Sequence, residues 1–211
     1  MQSEPKVQAP SSLASFRPLT LVHHRGEVTA PQVPPEVLFT LREQDLVIEF
    51  RVNRSEFHTN PLLKPDRSCW GLWEWDVVEV FVESGRDSDV QPIAAHRKYF
   101  EFQLSPLGQY FELEILEARK KWNTSYASGF KKRVFRRSET KEWIAEFVIT
   151  LKSLGYSVES PLPIRGNAFA ILGPSARRSY WALSLPPQDT PNFHLPSHFI
   201  DLPLVFPEGY R

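Results

Sequence analysis

The sequence is poor in the residues that build disulfide-linked, thiol-based or methionine-ligated proteins. It holds one cysteine, Cys69, and one methionine, Met1, among 211 residues. A single cysteine cannot form an intrachain disulfide, so we expect stability to come from packing and hydrogen bonds. Nucleophilic catalysis by a thiol needs a lowered pKa and a nearby base, and no histidine lies close to Cys69 in the sequence. We therefore expect Cys69 to be a packed side chain.

The chain also lacks net charge and long apolar runs. Lys plus Arg number 25, and so do Asp plus Glu, which gives a formal net charge of zero. Broad binding to nucleic acid or to an anionic membrane needs a basic face, so we expect neither partner. The basic run at residues 131–137 is typical of a solvated strand face. No apolar run approaches the roughly 20 residues of a membrane span.

A secretory signal is not visible at the N-terminus. Residues 1–16 are polar, with Pro and Ser, and lack an apolar segment of about 7–15 residues. As written, the sequence indicates a cytoplasmic protein, or an exported one if a signal was removed. We expect these residues to form a flexible arm, followed by one domain over residues 17–211.

Helical periodicity is almost absent, whereas short apolar runs alternate with turns and with 19 prolines. The runs at residues 37–41 and 46–52 predict a hairpin. Residues 121–129 are expected to be irregular. Period-two alternation and apolar runs predict further strands at 19–24, 77–84, 98–104, 109–116, 131–137, 142–151, 167–173, 179–185 and 199–206. The pattern predicts an all-β fold, an antiparallel β-sandwich of immunoglobulin-like or jelly-roll-like type.

Aromatic and acidic residues concentrate in one stretch. Three of the 6 tryptophans fall within residues 69–75. A sugar presents an apolar CH face and a rim of hydroxyls, so its site needs a flat ring with polar groups around it. Trp73 supplies the ring, and Glu74, Asp76 and Glu79 close behind it supply the polar groups. Phe193 could close the other side. The alternative is that these tryptophans pack in the core or under loops.

Catalytic and metal-binding patterns are weaker. Glu79 and Glu83 share a strand face but lie about 13 Å apart by strand rise, farther than the about 5–10 Å of a glycosidase pair. His194 and His198 are separated by a proline and do not form a helical metal pair. We predict no catalytic residue and no cofactor, although oxygens in residues 84–89 could hold calcium. Other glutamates alternate with aromatic residues, as is typical of solvated strand faces: Glu101, Glu112, Glu114 and Glu146.

Several segments taken in order resemble one known family. They are LWEWDVVEVFVES, KYFEFQLSPLGQYFELEI, EWIAEFVITLKSLG, RGNAFAILG, YWALSL and PNFHLPSHFIDLPL. Between residues 46 and 204 the chain resembles the family 9 carbohydrate-binding modules (CBM9) and their stand-alone relatives in the DOMON-like superfamily. The resemblance implies an antiparallel β-sandwich. It also implies non-catalytic binding that clamps a mono- or oligosaccharide end between two aromatic rings.

The resemblance assigns roles to particular residues. Trp73 and Phe193 match the two clamp rings, and Glu79 matches a glutamate that hydrogen-bonds sugar hydroxyls. The remaining polar contacts are expected from Gln103, Ser105, Asn192 and His194. The chain departs from the pattern where its second ring is Phe rather than Trp, and where Gln103 and Ser105 replace Arg and Asn. Haem-binding members use a methionine ligand, and Met1 is the only methionine here.

Two other functions stay open on the sequence. A carbohydrate-active hydrolase using the same cleft would need a close pair of carboxylates with separated pKa values. An interaction domain without a sugar ligand would have a filled cleft, with Trp73 packed under Phe193. The identity of the sugar and the oligomeric state are not predicted by any motif.

Overall fold

A computed structural model describes residues 17–25, 33–85, 97–137, 139–157, 163–187 and 191–207. The predicted arm at residues 1–16 and residues 86–89 of the predicted calcium loop lie outside these ranges. In the described part of the chain, no helix is long and apolar enough to cross a membrane.

The described strands form two sheets that pack face to face. The strands of the first sheet are β1 (Leu19–Thr20), β3 (Glu36–Arg42), β4 (Asp45–Asn53), β9 (Lys131–Arg137), β10 (Glu142–Thr150) and β14 (Leu204–Val205). Their order is β1-β3-β4-β10-β9, and β14 pairs in parallel with β3, whereas the other pairs are antiparallel.

The second sheet is larger and entirely antiparallel. Its strands are β2 (Val22–Arg25), β5 (Val77–Glu83), β6 (Tyr99–Leu104), β7 (Tyr110–Glu117), β8 (Lys121–Asn123), β11 (Arg165–Leu172), β12 (Ser179–Ala182) and β13 (Ile200–Asp201). Their order is β2-β12-β11-β5-β6-β7-β8, and β13 pairs with β11. Short 3-10 helices occur at Leu72–Glu74, Leu151–Leu154, Ser175–Arg177 and Pro196–His198. The predicted all-β sandwich is confirmed.

Three sequence predictions of secondary structure need correction. Residues 19–24 do not form one strand, because buried Leu21 donates its N–H to Pro35 and the chain crosses between sheets there. Residues 199–206 divide in the same way into β13 and β14. The Leu202 N–H donates a hydrogen bond to the Ile164 carbonyl instead of to a ladder partner, and Pro203 has no N–H to donate. Residues 121–129 are not wholly irregular, because β8 pairs with β7.

Both faces of the central strand β5 are buried. Val78, Val80 and Val82 enter the core between the sheets, as the alternation predicts. Phe81 joins a second apolar cluster on the opposite face, which also holds Phe111, Phe169, Phe193 and Phe199. This outer face of the eight-stranded sheet, which packs against the loop segments around residues 63–73 and 193–199, carries the candidate site.

Candidate functional site

A cavity of about 450 Å³ opens on the outer face of the eight-stranded sheet. Its polar floor is formed by Glu79 of β5 and by Glu101 and Gln103 of β6. Glu79 lies directly opposite Gln103 in the ladder, and Glu101 lies opposite Phe81. Because side chains alternate along a strand, all four project to the same face. The term "floor" below means Glu79, Glu101 and Gln103.

Aromatic side chains form much of the wall. Gly71 adopts φ 83°, a conformation that glycine tolerates without strain, and starts the 3-10 helix at Leu72–Glu74. Trp70 precedes this glycine and Trp73 lies within the short helix, and their ring centroids are 5.1 Å apart. Trp122 of β8 contributes another partly exposed ring. The remaining lining residues are Phe81, Phe111, Leu113, Ile115, Arg119, Ile171, Tyr180, Pro191, Phe193 and His194.

The two predicted clamp rings are each held by other rings. Trp73 packs edge-on against Phe111, with centroids 5.5 Å apart. Phe193 stacks on Phe169 at 4.0 Å with an interplanar angle of 14°, and only 8% of Phe193 is exposed. Both rings therefore belong to the packed cluster and line the cavity as well.

The floor has more hydrogen-bond acceptors than donors. Gln103 Nε2 donates to Glu101 Oε1 at 2.5 Å, which engages one of its two amide hydrogens. Glu79 Oε1 and Gln103 Oε1 are buried and have no hydrogen-bond partner among the residues that the structure describes. A buried polar atom without a partner is costly and uncommon in native proteins. The two oxygens are therefore placed to accept hydrogen bonds from a ligand.

Burial changes the protonation of the two carboxyl groups. Desolvation raises the pKa of Glu79 well above its usual range, and the nearby charge of Glu101 raises it further. Desolvation also raises the pKa of Glu101 to about 7, although the hydrogen bond from Gln103 opposes this. Both effects favour the neutral acid, since a charge buried next to a like charge is unfavourable.

His194 lies at the edge of the same polar group. Its Nδ1 shares a 2.9 Å hydrogen bond with the Tyr99 hydroxyl, and its Nε2 lies 3.9 Å from Glu101 Oε2. Burial and, to a smaller extent, the Arg119 cation together lower the pKa of His194 to about 4. Arg119 is exposed and donates from Nε to Asn192 Oδ1 at 3.0 Å.

The structure brings together five of the seven predicted ligand-binding residues. Trp73, Glu79, Gln103, Phe193 and His194 all line the cavity. The other two, Ser105 and Asn192, do not belong to its lining.

Those two residues have other partners. Ser105 is buried below the β6–β7 turn, where its Oγ donates to Gln109 Oε1 at 2.9 Å. Asn192 receives the guanidinium of Arg119. Asp76 is likewise turned away from the cavity: its carboxylate accepts the N–H of His58 at 3.0 Å and that of Gly173 at 2.5 Å.

The other lining residues were not predicted from the sequence as part of the site, and among them are Trp70, Glu101, Arg119 and Trp122. The expectation that Glu101 and Glu112 are solvated was wrong, since they are 4% and 6% exposed. The alternation of Glu101 with Phe100 and Phe102 predicts the face of the sheet from which Glu101 projects. It does not predict which residues cover that face. Trp122 was missed because the short strand β8 was expected to be irregular.

Cys69 is packed, as expected. It is 5% exposed, its Sγ–H donates to the Lys64 carbonyl at 3.1 Å, and desolvation raises its pKa. A raised thiol pKa opposes nucleophilic chemistry at neutral pH. Across the described ranges, no group of three or more His, Cys, Asp or Glu side chains is arranged to hold a metal ion.

Solved structures share this fold at low sequence identity. A candidate carbohydrate-binding protein from Bacteroides uniformis matches with a TM-score of 0.63 and 19% identity, over 90% of this chain and 85% of its own. A CBM9 module from Caldicellulosiruptor kristjanssonii, solved with cellotriose, matches with a TM-score of 0.55 and 12% identity, over 90% and 83%. The chain therefore has a CBM9-like fold.

No protein-family model matches the sequence. UPF0462 protein C4orf33 from Homo sapiens is 30% identical over 145 residues, which span 66% of this chain and 64% of the human protein. The Mus musculus homolog is 30% identical over 146 residues, which span 66% of this chain and 67% of the mouse protein. At this identity and coverage, the chain belongs to the UPF0462 protein family.

Proposed function

We propose that this protein binds carbohydrate without catalysis, and that the cavity on the eight-stranded sheet holds a mono- or oligosaccharide end. The observation that carries the proposal is the pair of unpartnered buried oxygens on Glu79 and Gln103, at the floor of a cavity walled by tryptophans. Such acceptors are costly unless a ligand or water donates to them.

The residue types of the cavity suit a sugar. Its CH faces stack on flat rings, and its hydroxyls donate to carboxylate and amide oxygens. The volume of about 450 Å³ falls in the range of about 300–1,000 Å³ usual for small-molecule sites. This room argues against the filled cleft expected of an interaction domain that has lost its ligand.

We propose Trp73 and Phe193 as the clamp rings, with Trp70 and Trp122 as additional stacking surfaces. Trp73 and Phe193 are held by neighbouring rings, so little side-chain freedom is lost when a ligand binds. The shared fold with a CBM9 module solved with cellotriose supports a saccharide ligand.

The placement of the carboxyl groups favours binding over hydrolysis. A glycosidase needs an acid and a nucleophile or base on the two sides of the scissile bond. Glu79 and Glu101 instead project side by side from neighbouring strands of one sheet face. We therefore assign them to hydrogen bonding.

The test is calorimetric titration of the protein with a panel of mono- and oligosaccharides, guided by a glycan array. We expect weak to moderate affinity in the wild type, lost in Trp73→Ala and Glu79→Gln. Trp75→Ala is the matched control, because Trp75 stacks on His58 outside the cavity lining. Absence of binding to every sugar, with Trp73→Ala changing stability alone, would contradict the proposal. Chromatography of the sugars after incubation detects hydrolysis, which would contradict the non-catalytic assignment.

A further inference from the structure

We infer that the cavity takes a sugar that carries a protonated primary amine, with the ammonium group on the floor of Glu79, Glu101 and Gln103. The inference rests on the proposed function and names the chemical class of its ligand. Three features support it: the balance of donors and acceptors, the charge of the floor and the aromatic walls.

The unpartnered oxygens of the floor call for a ligand group with several donors. One amide hydrogen of Gln103 is engaged by Glu101, while no described residue donates to Gln103 Oε1 or Glu79 Oε1. A sugar hydroxyl would bring one donor together with two acceptor lone pairs. An ammonium group brings three donors and no acceptor. Its three hydrogens match one oxygen from each of the three floor residues.

The two carboxyl groups of the floor can ionise around a bound cation. Two carboxyl groups on adjacent strands are buried together, with exposed fractions of 2% for Glu79 and 4% for Glu101. Removing one partner from a buried ion pair is strongly unfavourable, whereas a bound cation gives both carboxylates a partner. An ammonium between them would favour loss of the proton that they retain near neutral pH.

The walls add to this preference. Trp70 and Trp73 line the same cavity as the floor residues. A tryptophan face attracts a cation that lies within about 6 Å of the ring. A neutral sugar would stack on the same rings without this electrostatic contribution.

The other charged and titratable groups near the floor leave room for a cation. Among the described residues that line the cavity, Arg119 alone is a formal cation; it is exposed, and its guanidinium donates to Asn192. Burial and Arg119 keep His194 neutral at pH 7 by lowering its pKa to about 4. Burial and the charge of Glu101 raise the pKa of Tyr99, which is therefore neutral as well. The Tyr180 hydroxyl is the remaining titratable group of the lining.

The experiment compares glucosamine, glucose, N-acetylglucosamine and cyclohexylamine by calorimetric titration at about pH 6.5, where a primary amine is protonated. We expect glucosamine to bind at least about tenfold more tightly than the two neutral sugars, which is about 1.4 kcal/mol. Because the floor loses a proton when the cation binds, the heat should depend on the ionisation enthalpy of the buffer.

Variants connect the preference to the floor. Glu101→Gln keeps the size of the side chain and removes its charge, so we expect the preference for glucosamine over glucose to fall while glucose binding persists. Glu112→Gln is the matched control, because Glu112 is also buried but accepts from Ser128 outside the cavity. That variant should retain the wild-type preference.

The outcomes separate this inference from the proposed function. Equal binding of glucose and glucosamine, both weakened by Trp73→Ala, would overturn the amine preference and leave carbohydrate binding intact. If none of the sugars bound, the proposed function itself would be overturned. Binding of cyclohexylamine as tight as that of glucosamine, without glucose binding, would overturn the assignment to a sugar in favour of a simple amine.

Discussion

Glu79 and Gln103 face each other across neighbouring strands, and each presents to one cavity a buried oxygen atom that finds no hydrogen-bond partner in the described part of the chain. Both residues lie at the centre of an eight-stranded sheet, whose backbone hydrogen bonds fix their positions. A site built on strands is held more accurately than one built on loops. The unmatched acceptors are therefore preorganised for a ligand.

The first prediction concerns the pH dependence of stability. Burial raises the pKa of Glu101 from about 4.5 to about 7, so the folded state holds more protons than the unfolded state between these values. The contribution of protonated Glu101 to the unfolding free energy is complete below pH 4.5 and is lost as pH rises through 7. The wild type should therefore lose on the order of 3 kcal/mol of unfolding free energy across this window, and Glu101→Gln should not show this loss.

Urea denaturation of both proteins at several pH values measures this difference. The comparison is needed because other groups, His194 among them, titrate in part of the same range. Near-ultraviolet circular dichroism checks that the variant keeps its packing. Curves of unfolding free energy that stay parallel from pH 4.5 to 7 would show that Glu101 is ionised normally in the folded state.

The second prediction concerns the support of the tryptophan loop. Buried Asp76 accepts the backbone N–H groups of His58 and Gly173, which connects the segment after Trp73 to a distant turn. Asp76→Asn leaves one acceptor oxygen, so one of these N–H groups loses its partner. We expect a loss of about 1–3 kcal/mol in unfolding free energy. Asp66→Asn, at an exposed position, is the control and should unfold as wild type does.

The sequence predicts the strands of this fold better than the surroundings of its site. Alternation along β5 gives the outward direction of Glu79, because the valines at alternate positions must enter the core. The same rule gives the face of Glu101. Whether that face meets water depends on loop residues far away in sequence, such as Phe193 and Phe199, which pack on it. Local patterns carry no information on such contacts, so Glu101 was expected to be solvated.

Family resemblance and local pattern contribute different parts of the site. The resemblance selected Trp73 and Phe193, and both line the cavity. It did not select Trp122, which comes from a three-residue strand at the sheet edge. A strand so short leaves almost no periodicity, and its position depends on pairing with β7.

The third prediction concerns the protonation of His194. Burial and Arg119 lower its pKa to about 4, whereas an unfolded histidine titrates near 6.5. The unfolded state therefore binds more protons between these values, so this contribution to stability is present above pH 6.5 and is lost as pH falls through 4. Nitrogen chemical shifts of the imidazole should show the neutral form down to about pH 4.

Two variants test the causes of this shift. Arg119→Gln removes the nearby cation and should raise the pKa of His194. Tyr99→Phe removes the 2.9 Å hydrogen bond to Nδ1 and should cost about 1 kcal/mol of stability. Titration of wild-type His194 near its usual value would mean that water reaches the ring in solution.

The last prediction separates the wall of the cavity from the packing of the fold. Trp122 is 45% exposed and lines the cavity, so Trp122→Ala should weaken a bound sugar about tenfold, roughly 1.4 kcal/mol, with little change in melting temperature. Phe135→Ala is matched in exposure, at 42%, but lies on β9 of the other sheet. Its affinity should equal that of wild type. If calorimetry gave both variants the same affinity, the β7–β8 hairpin would not be part of the binding wall, and the stacking surface would be confined to the rings of the 69–75 segment and the loop around Phe193.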